Sequence, residues 1–128
     1  MGKKILIVDD DPVVRSLLTE YLTKHGYKVE VLSHGSECLQ RLKTEQPDML
    51  ILDLIMPSMS GLQVLQSIRE AQQTINLPVI LLSANTESES GAYKIGIKAD
   101  GYIQKPFEIK SMLEMIEQVF SRLRKTPD

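Results

Sequence analysis

Residues Ile5–Pro12 read ILIVDDDP: an apolar run passes directly into consecutive carboxylates. The apolar run is too short for a helix and reads as a strand buried on both faces. Adjacent acids repel one another, and burial makes each charge costlier. Solvent, a helix N-terminus or a cation must offset that cost. Pro12 suits the first position of a helix, which makes Asp11 its natural N-cap. One cap needs only one acid, so Asp9 and Asp10 call for something else.

The same alternation of buried strand and amphipathic helix continues outward from this stretch. Val13, Val14, Leu17, Leu18, Tyr21 and Leu22 recur at helical spacing, and Gly26 is the expected stop. Tyr27–Val31 alternates apolar and polar residues, as an edge strand does. Glu37–Thr44 reads as a short helix with Ser36 as its N-cap. Met49–Asp53, MLILD, is a second apolar run ending in an acid. Beyond the MPSMSG loop, Leu62, Leu65 and Ile68 mark a third helix with Ser60 at its N-cap. Leu77–Ser83 reads as a fourth strand, and Ala92, Ile95 and Ala99 as a weak fourth helix. Gly101–Gln104 is a short fifth strand, ended by Lys105 and Pro106. Ile109, Met112, Leu113, Ile116, Val119, Phe120 and Leu123 form a long final helical stripe, and the terminal KTPD is expected to fray.

Strands alternating with helices imply an α/β, doubly wound, five-stranded parallel sheet covered on both faces. The most apolar strands belong at its centre. The order 2-1-3-4-5 is one of the common arrangements, although pattern alone does not choose it. No linker, low-complexity tract or repeat interrupts the chain, so one domain over residues 1–128 is expected, with its core at about 4–123. A chain of 128 residues is long enough to bury a real core. The net charge of −2 gives no sign of a general nucleic-acid or membrane binder. No apolar run approaches the roughly 20 residues of a membrane helix, and MGKKILIV turns acidic too soon for a signal peptide. Cys38 is the single cysteine, which excludes an internal disulfide and disfavours a cysteine-based zinc site. It reads as a small core residue, and a cytoplasmic protein is the expectation.

In an open parallel sheet, ligands bind beyond the carboxyl ends of the strands. Those ends carry Asp9–Asp10–Asp11, Asp53, Ser83 and Lys105. If the first and third strands are neighbours, Asp53 lies close to Asp9 and Asp10. Clustered carboxylates suit a hard divalent cation, and Mg²⁺ suits a few carboxylates plus water. Lys105 adds a point charge for a phosphate oxygen, and Ser83 adds a hydroxyl. A carboxylate beside Mg²⁺ and a lysine is equipped to accept a phosphoryl group. Asp53, alone at the end of its strand, is the best candidate acceptor. Each residue has a plainer reading: Asp53 as a loop acid, Ser83 as a cap, Lys105 as a solvated side chain. Their convergence on one rim makes the joint plain reading unattractive. His25 and His34 have no partner pattern and receive no site.

ILIVDDDP, PDMLILDLIMPSMSG, PVILLSA and ADGYIQKPF together resemble the signature blocks of the response-regulator receiver domain, the phosphoacceptor half of two-component signalling. The resemblance runs from Lys4 to about Leu123 and implies the CheY-like, flavodoxin-like (βα)5 fold. It implies that Asp53 is the phosphoacceptor and that Asp10, Asp53 and the backbone carbonyl of Ile55 ligate Mg²⁺, with Asp9 acting through water and Mn²⁺ able to substitute. It implies a phosphoryl-sensing role for Ser83, a phosphate-binding role for Lys105, a cis Lys105–Pro106 peptide and a switch role for Tyr102. Ile55 and Asn85 fall at the variable positions that flank the phosphoryl group. The implied partners are a sensor histidine kinase or phosphotransfer protein, and a downstream target or effector domain reached through the face of the fourth helix, fifth strand and last helix. A phosphorylation-dependent homodimer is a further outcome; direct nucleic-acid or membrane contact is not expected. The resemblance makes the chain a signalling domain that assists its own phosphorylation and dephosphorylation, not an enzyme acting on other substrates. Ser60 departs from the aspartate common at its position.

Other readings fit less well. A phosphorylation-independent module on the same fold would not need every site residue. A flavin-binding protein needs a phosphate-binding loop after the first strand, where DDDP has the wrong charge. An aspartyl phosphatase needs a second general acid and a substrate cap, for which the chain has no room.

Overall fold

The computed structural model describes residues 2–56, 59–83 and 99–125. Five parallel strands form one sheet: β1 (Lys4–Val8), β2 (Lys28–Leu32), β3 (Met49–Asp53), β4 (Val79–Ser83) and β5 (Gly101–Gln104), ordered β2-β1-β3-β4-β5. The described helices are α1 (Pro12–Lys24), α2 (Gly35–Thr44), α3 (Gly61–Glu70) and the C-terminal α4 (Ile109–Lys125). The apolar strands β1, β3 and β4 are central and the alternating β2 lies at an edge, as their patterns require. The weak helix expected around Ala92 and Ile95 lies outside the described residues; Ala99, within them, is not helical. No described helix is long and apolar enough to cross a membrane.

The period-2 geometry of a strand sorts its side chains onto two cores. Leu6, Val8, Leu50, Leu52, Val79 and Leu81 face one way and pack with Cys38 and Leu42 of α2 and Val64, Leu65 and Ile68 of α3. Ile5, Ile7, Met49, Ile51, Ile80 and Leu82 face the other way and pack with Leu18 and Leu22 of α1 and Met112, Ile116, Val119 and Phe120 of α4. Both faces are therefore apolar, which explains why β1, β3 and β4 are unbroken hydrophobic runs. Each fully buried leucine or isoleucine contributes roughly 1.5–3 kcal/mol by leaving water. Cys38 is one of these core residues, and burial pushes its thiol up to about 12, so it stays protonated.

The starts of α1 and α3 follow local chemistry, and that of α2 does not. Asp11 caps α1 by accepting the Val13 N–H at 2.9 Å, with Pro12 opening the helix. Gly26 has φ +92°, the left-handed conformation that ends α1. Ser60 accepts the Gln63 N–H at 3.2 Å and Gln63 bonds back to the Ser60 N–H at 3.0 Å, a reciprocal cap of α3. The N-cap of α2 is His34, which makes no side-chain cap bond, and Ser36 lies inside the helix. The earlier start brings Gly35 close against α3: a Cβ there would lie 2.6 Å from the Val64 side chain, a contact that glycine avoids.

Gly61 is a second close approach. Its N–H donates to the Leu54 carbonyl at 2.8 Å, and a Cβ would lie 2.1 Å from the Asp53 carbonyl oxygen. That contact is with backbone and cannot be relieved by a rotamer change. Gly61→Ala is therefore expected to lower stability by about 1–3 kcal/mol, measured by urea unfolding, whereas substitution of the exposed Gln63 neighbour Gln66 by Ala leaves the midpoint unchanged.

Candidate functional site

The strand register brings the acids together. Val8 pairs with Leu52 across the β1–β3 ladder, so the residues that follow, Asp9 and Asp53, leave the sheet side by side. Both continue the strand parity of Ile7 and Ile51, which face α1 and α4. Lys105 continues the parity of Ile103 on β5 and points to the same side. Its Nζ donates to Asp9 Oδ2 at 2.8 Å and to Asp53 Oδ2 at 3.2 Å. One ammonium thus bridges two carboxylates delivered by different strands.

The other oxygen of each acid is held by backbone. Asp9 Oδ1 accepts the Asp11 N–H at 2.9 Å, and Asp53 Oδ1 accepts the Ile55 N–H at 3.2 Å. The backbone around them is also tied. The Asp9 N–H donates to the Leu32 carbonyl at 3.2 Å, and the Lys105 N–H to the Ser83 carbonyl at 2.7 Å. The Lys105–Pro106 peptide is cis. Asp9 and Asp53 are buried, whereas Asp10 is exposed.

Burial and the neighbouring Asp9 carboxylate push the Asp53 carboxyl up to about 6, against the opposing pull of Lys105 and the Ile55 N–H. Burial alone would lower the Lys105 ammonium, but its two carboxylate partners outweigh it and hold the group above its ordinary value. The site therefore confines more negative charge than one lysine compensates. One carboxylate oxygen from each of Asp9, Asp10 and Asp53 lies within 4.8 Å of the others. Such a set of hard oxygen donors with uncompensated charge fits a hard divalent cation.

The remaining expected residues are placed as follows. Ser83 is fully buried at the end of β4. The Ile55 side chain is 52% exposed beside the rim. Tyr102 is half-buried against the core on the α2–α3 side, the opposite face of β5 from Ile103 and Lys105. Asn85 lies outside the described residues. Two contributors had no signal in the sequence. Gly61 bears on the Asp53 carbonyl, and Arg15 Nη1 donates to the Asp9 carbonyl at 2.7 Å. A glycine after a capping serine and an arginine in the first turns of a helix are both ordinary; only tertiary contact distinguishes them.

Comparison with known proteins gives a consistent answer. The alkaline phosphatase synthesis transcriptional regulatory protein PhoP of Bacillus subtilis is 34% identical over 122 residues, covering 95% of this chain and 50% of its own length. The DNA-binding response regulator MtrA of Mycolicibacterium smegmatis is 34% identical over 128 residues, covering 100% of this chain and 54% of its own. The chain thus spans about half the length of these relatives. Among solved structures, the chemotaxis response regulator CheY4 of Vibrio cholerae superposes with a TM-score of 0.85 at 28% identity, over 93% of this chain and 99% of that one. The Francisella response regulator 1452 receiver domain does so with a TM-score of 0.83 at 31% identity, over 95% and 99%. The family model of the response regulator receiver domain matches residues 5–117. A parallel sheet ordered β2-β1-β3-β4-β5, an acidic rim bridged by a lysine and these matches agree: the chain belongs to the response regulator receiver domain family of two-component signalling.

Proposed function

We propose that this domain is the phosphoacceptor of a two-component or phosphorelay system, with Asp53 taking the phosphoryl group from a phosphohistidine on a sensor histidine kinase or phosphotransfer protein. The observation that carries the reading is the buried Asp53 carboxylate, which shares the Lys105 ammonium with Asp9 and lies within reach of Asp10. Asp10, Asp53 and the Ile55 carbonyl, with Asp9 through water, would hold Mg²⁺ or Mn²⁺. When bound, the cation supplies positive charge to the phosphoryl oxygens. An Asp53 carboxylate oxygen attacks phosphorus as the phosphorus–nitrogen bond breaks and the imidazole keeps the electron pair. A carboxyl at about 6 is mostly ionised at neutral pH, so the nucleophile is ready without a general base. Lys105 exchanges its bond to Asp53 for bonds to the transferred oxygens. Ser83 donates its hydroxyl to the same group, and Tyr102 turns inward as Ser83 moves.

The face that includes β5 and α4 then changes shape, and a target protein, effector domain or second copy reads the difference. PhoP and MtrA are by name transcriptional and DNA-binding regulators. Their names count against an output remote from nucleic acid, and gene regulation is the output class we favour. The net charge of −2 gives no sign that these 128 residues themselves bind nucleic acid. Receiver domains are signalling domains and not ordinary enzymes; self-assisted phosphorylation and dephosphorylation in the cytoplasm belong to this proposal.

Intact mass after incubation with acetyl phosphate tests the central claim. A phosphoryl adduct is expected that requires Mg²⁺ and is lost in Asp53→Asn. A folded, metal-loaded protein without an adduct would instead make this a phosphorylation-independent interaction module. Ile55→Asn is expected to change the decay rate of the adduct several-fold by altering the shield beside Asp53, with Mg²⁺ affinity similar; an unchanged decay rate removes Ile55 from that role. The raised Asp53 carboxyl also sets a pH dependence. Folded protein retains a proton that unfolded chain has lost, so ionising Asp53 costs the native state. That cost is absent below about pH 4, grows between about pH 4 and 6 and is complete above. Without divalent metal, Asp53→Asn should therefore melt higher than wild type at pH 7.5, by about 1–3 kcal/mol in stability. The gain should vanish near pH 4, as measured by parallel thermal melts.

A further inference from the structure

We propose that Arg15 is a positioning residue for the metal-binding acids, acting through the Asp9–Asp10 peptide. The inference rests on the reading of the acidic rim as a divalent-cation site. Arg15 lies in the second turn's reach of the Asp11 cap, with its own N–H donating to the Asp11 carbonyl at 3.1 Å. Its half-buried side chain turns back toward the sheet, and Nη1 donates to the Asp9 carbonyl at 2.7 Å. A chain of three acids lies beside it, yet among the described residues Arg15 forms no ion pair with Asp9, Asp10 or Asp11. An exposed arginine free to choose would take a carboxylate, because charge-assisted, bidentate bonds are the strong ones. Here the guanidinium takes a neutral carbonyl and pairs with none of the three carboxylates.

The choice of carbonyl gives the contact its meaning. The Asp9 carbonyl belongs to the rigid peptide unit that also contains the Asp10 nitrogen. Asp9 itself is held by its carboxylate, through Lys105 and the Asp11 N–H, and by its own N–H, through Leu32. Asp10 has none of these supports. It is exposed, and no side-chain hydrogen bond holds its carboxylate among the described residues. Its position relative to Asp9 and Asp53 is therefore set by backbone, and Arg15 fixes the peptide plane from which it departs. Supports that orient ligands without touching the metal commonly alter affinity about 10- to 100-fold when removed. A clamp that acts through one peptide plane belongs at the lower end of that range.

Removing the guanidinium has two opposed electrostatic and geometric consequences, which makes the test directional. Loss of a positive charge beside three acids would by itself tighten cation binding. Loss of a clamp would weaken it. Arg15→Met removes the donor while keeping an unbranched aliphatic stem of similar length. Arg15→Lys keeps a charged donor able to reach the carbonyl. Apparent Mg²⁺ affinity is read from the rise in melting midpoint with MgCl₂, and adduct formation from acetyl phosphate is followed over the same metal series.

For Arg15→Met the expected result is an apparent Kd for Mg²⁺ about tenfold weaker, a metal-free midpoint close to wild type and an adduct rate that recovers at saturating Mg²⁺. Arg15→Lys should recover most of the lost affinity. An Arg15→Met variant that binds Mg²⁺ as wild type does, or more tightly, overturns the proposal. So does a variant, Met or Lys, whose metal-free midpoint falls while its Mg²⁺ dependence stays unchanged, since that is a purely structural role. Failure of the underlying reading looks different: wild type itself would show no Mg²⁺-dependent midpoint shift, and the inference would fall with it.

Discussion

A single ammonium bridging two buried carboxylates is the constraint on which the site depends. Lys105 holds Asp9 and Asp53 at 2.8 and 3.2 Å, and its charge opposes the rise that burial and Asp9 impose on the Asp53 carboxyl. The compensation is incomplete. Asp53 still titrates near 6 because burial and Asp9 outweigh the lysine. A pair of acids held this close without full neutralisation is poised for another cation, and binding one is a natural way for the native state to lose its electrostatic cost.

The rest of the fold keeps that arrangement in place. Asp9 and Asp53 stand next to each other because β1 and β3 are adjacent and in register, and β3 sits in the middle of the sheet because it is apolar on both faces. Lys105 arrives from the far edge strand, two strands away from β3, and bridges the gap with its long side chain. The turns that leave the strands carry their own supports. Asp11 closes the first turn of α1, Arg15 secures the Asp9 carbonyl, and Gly61 allows α3 to start directly against the end of β3. Packing in the two cores thus converts into a fixed separation between charges at the rim.

The same geometry puts the site lysine and Tyr102 on opposite faces of the sheet. Tyr102 lies on β5 and Lys105 is the residue that follows the strand; Lys105 faces the acids and Tyr102 the α2–α3 core. One short strand thus connects the lysine that meets the acids to a tyrosine packed in the other core. Gly101 tightens that strand further: a Cβ there would lie 2.7 Å from Met115 Sδ, so β5 rests directly on α4.

Much of this was legible in the sequence because its physical causes are local. Unbroken apolar runs identified β1, β3 and β4 as central strands, and carboxylates at their ends named Asp9, Asp10 and Asp53. Capping chemistry located the starts of α1 and α3. Contacts between distant residues leave no mark in a local pattern. Ser36 looked like a cap, but α2 starts at Gly35, close against Val64. Leu77 and Pro78 continue the apolar run of β4 but stand outside it. Strand order was only one of several arrangements until the ladders were seen, and with it the adjacency of Asp9 and Asp53. Residue types and periodicity determined the class of fold and the acids available to it. Tertiary structure alone decided which oxygen faces which nitrogen, and so gave Lys105, Arg15 and Gly61 their places, because hydrogen bonds and close contacts depend on ångström-scale distances between residues far apart in the chain.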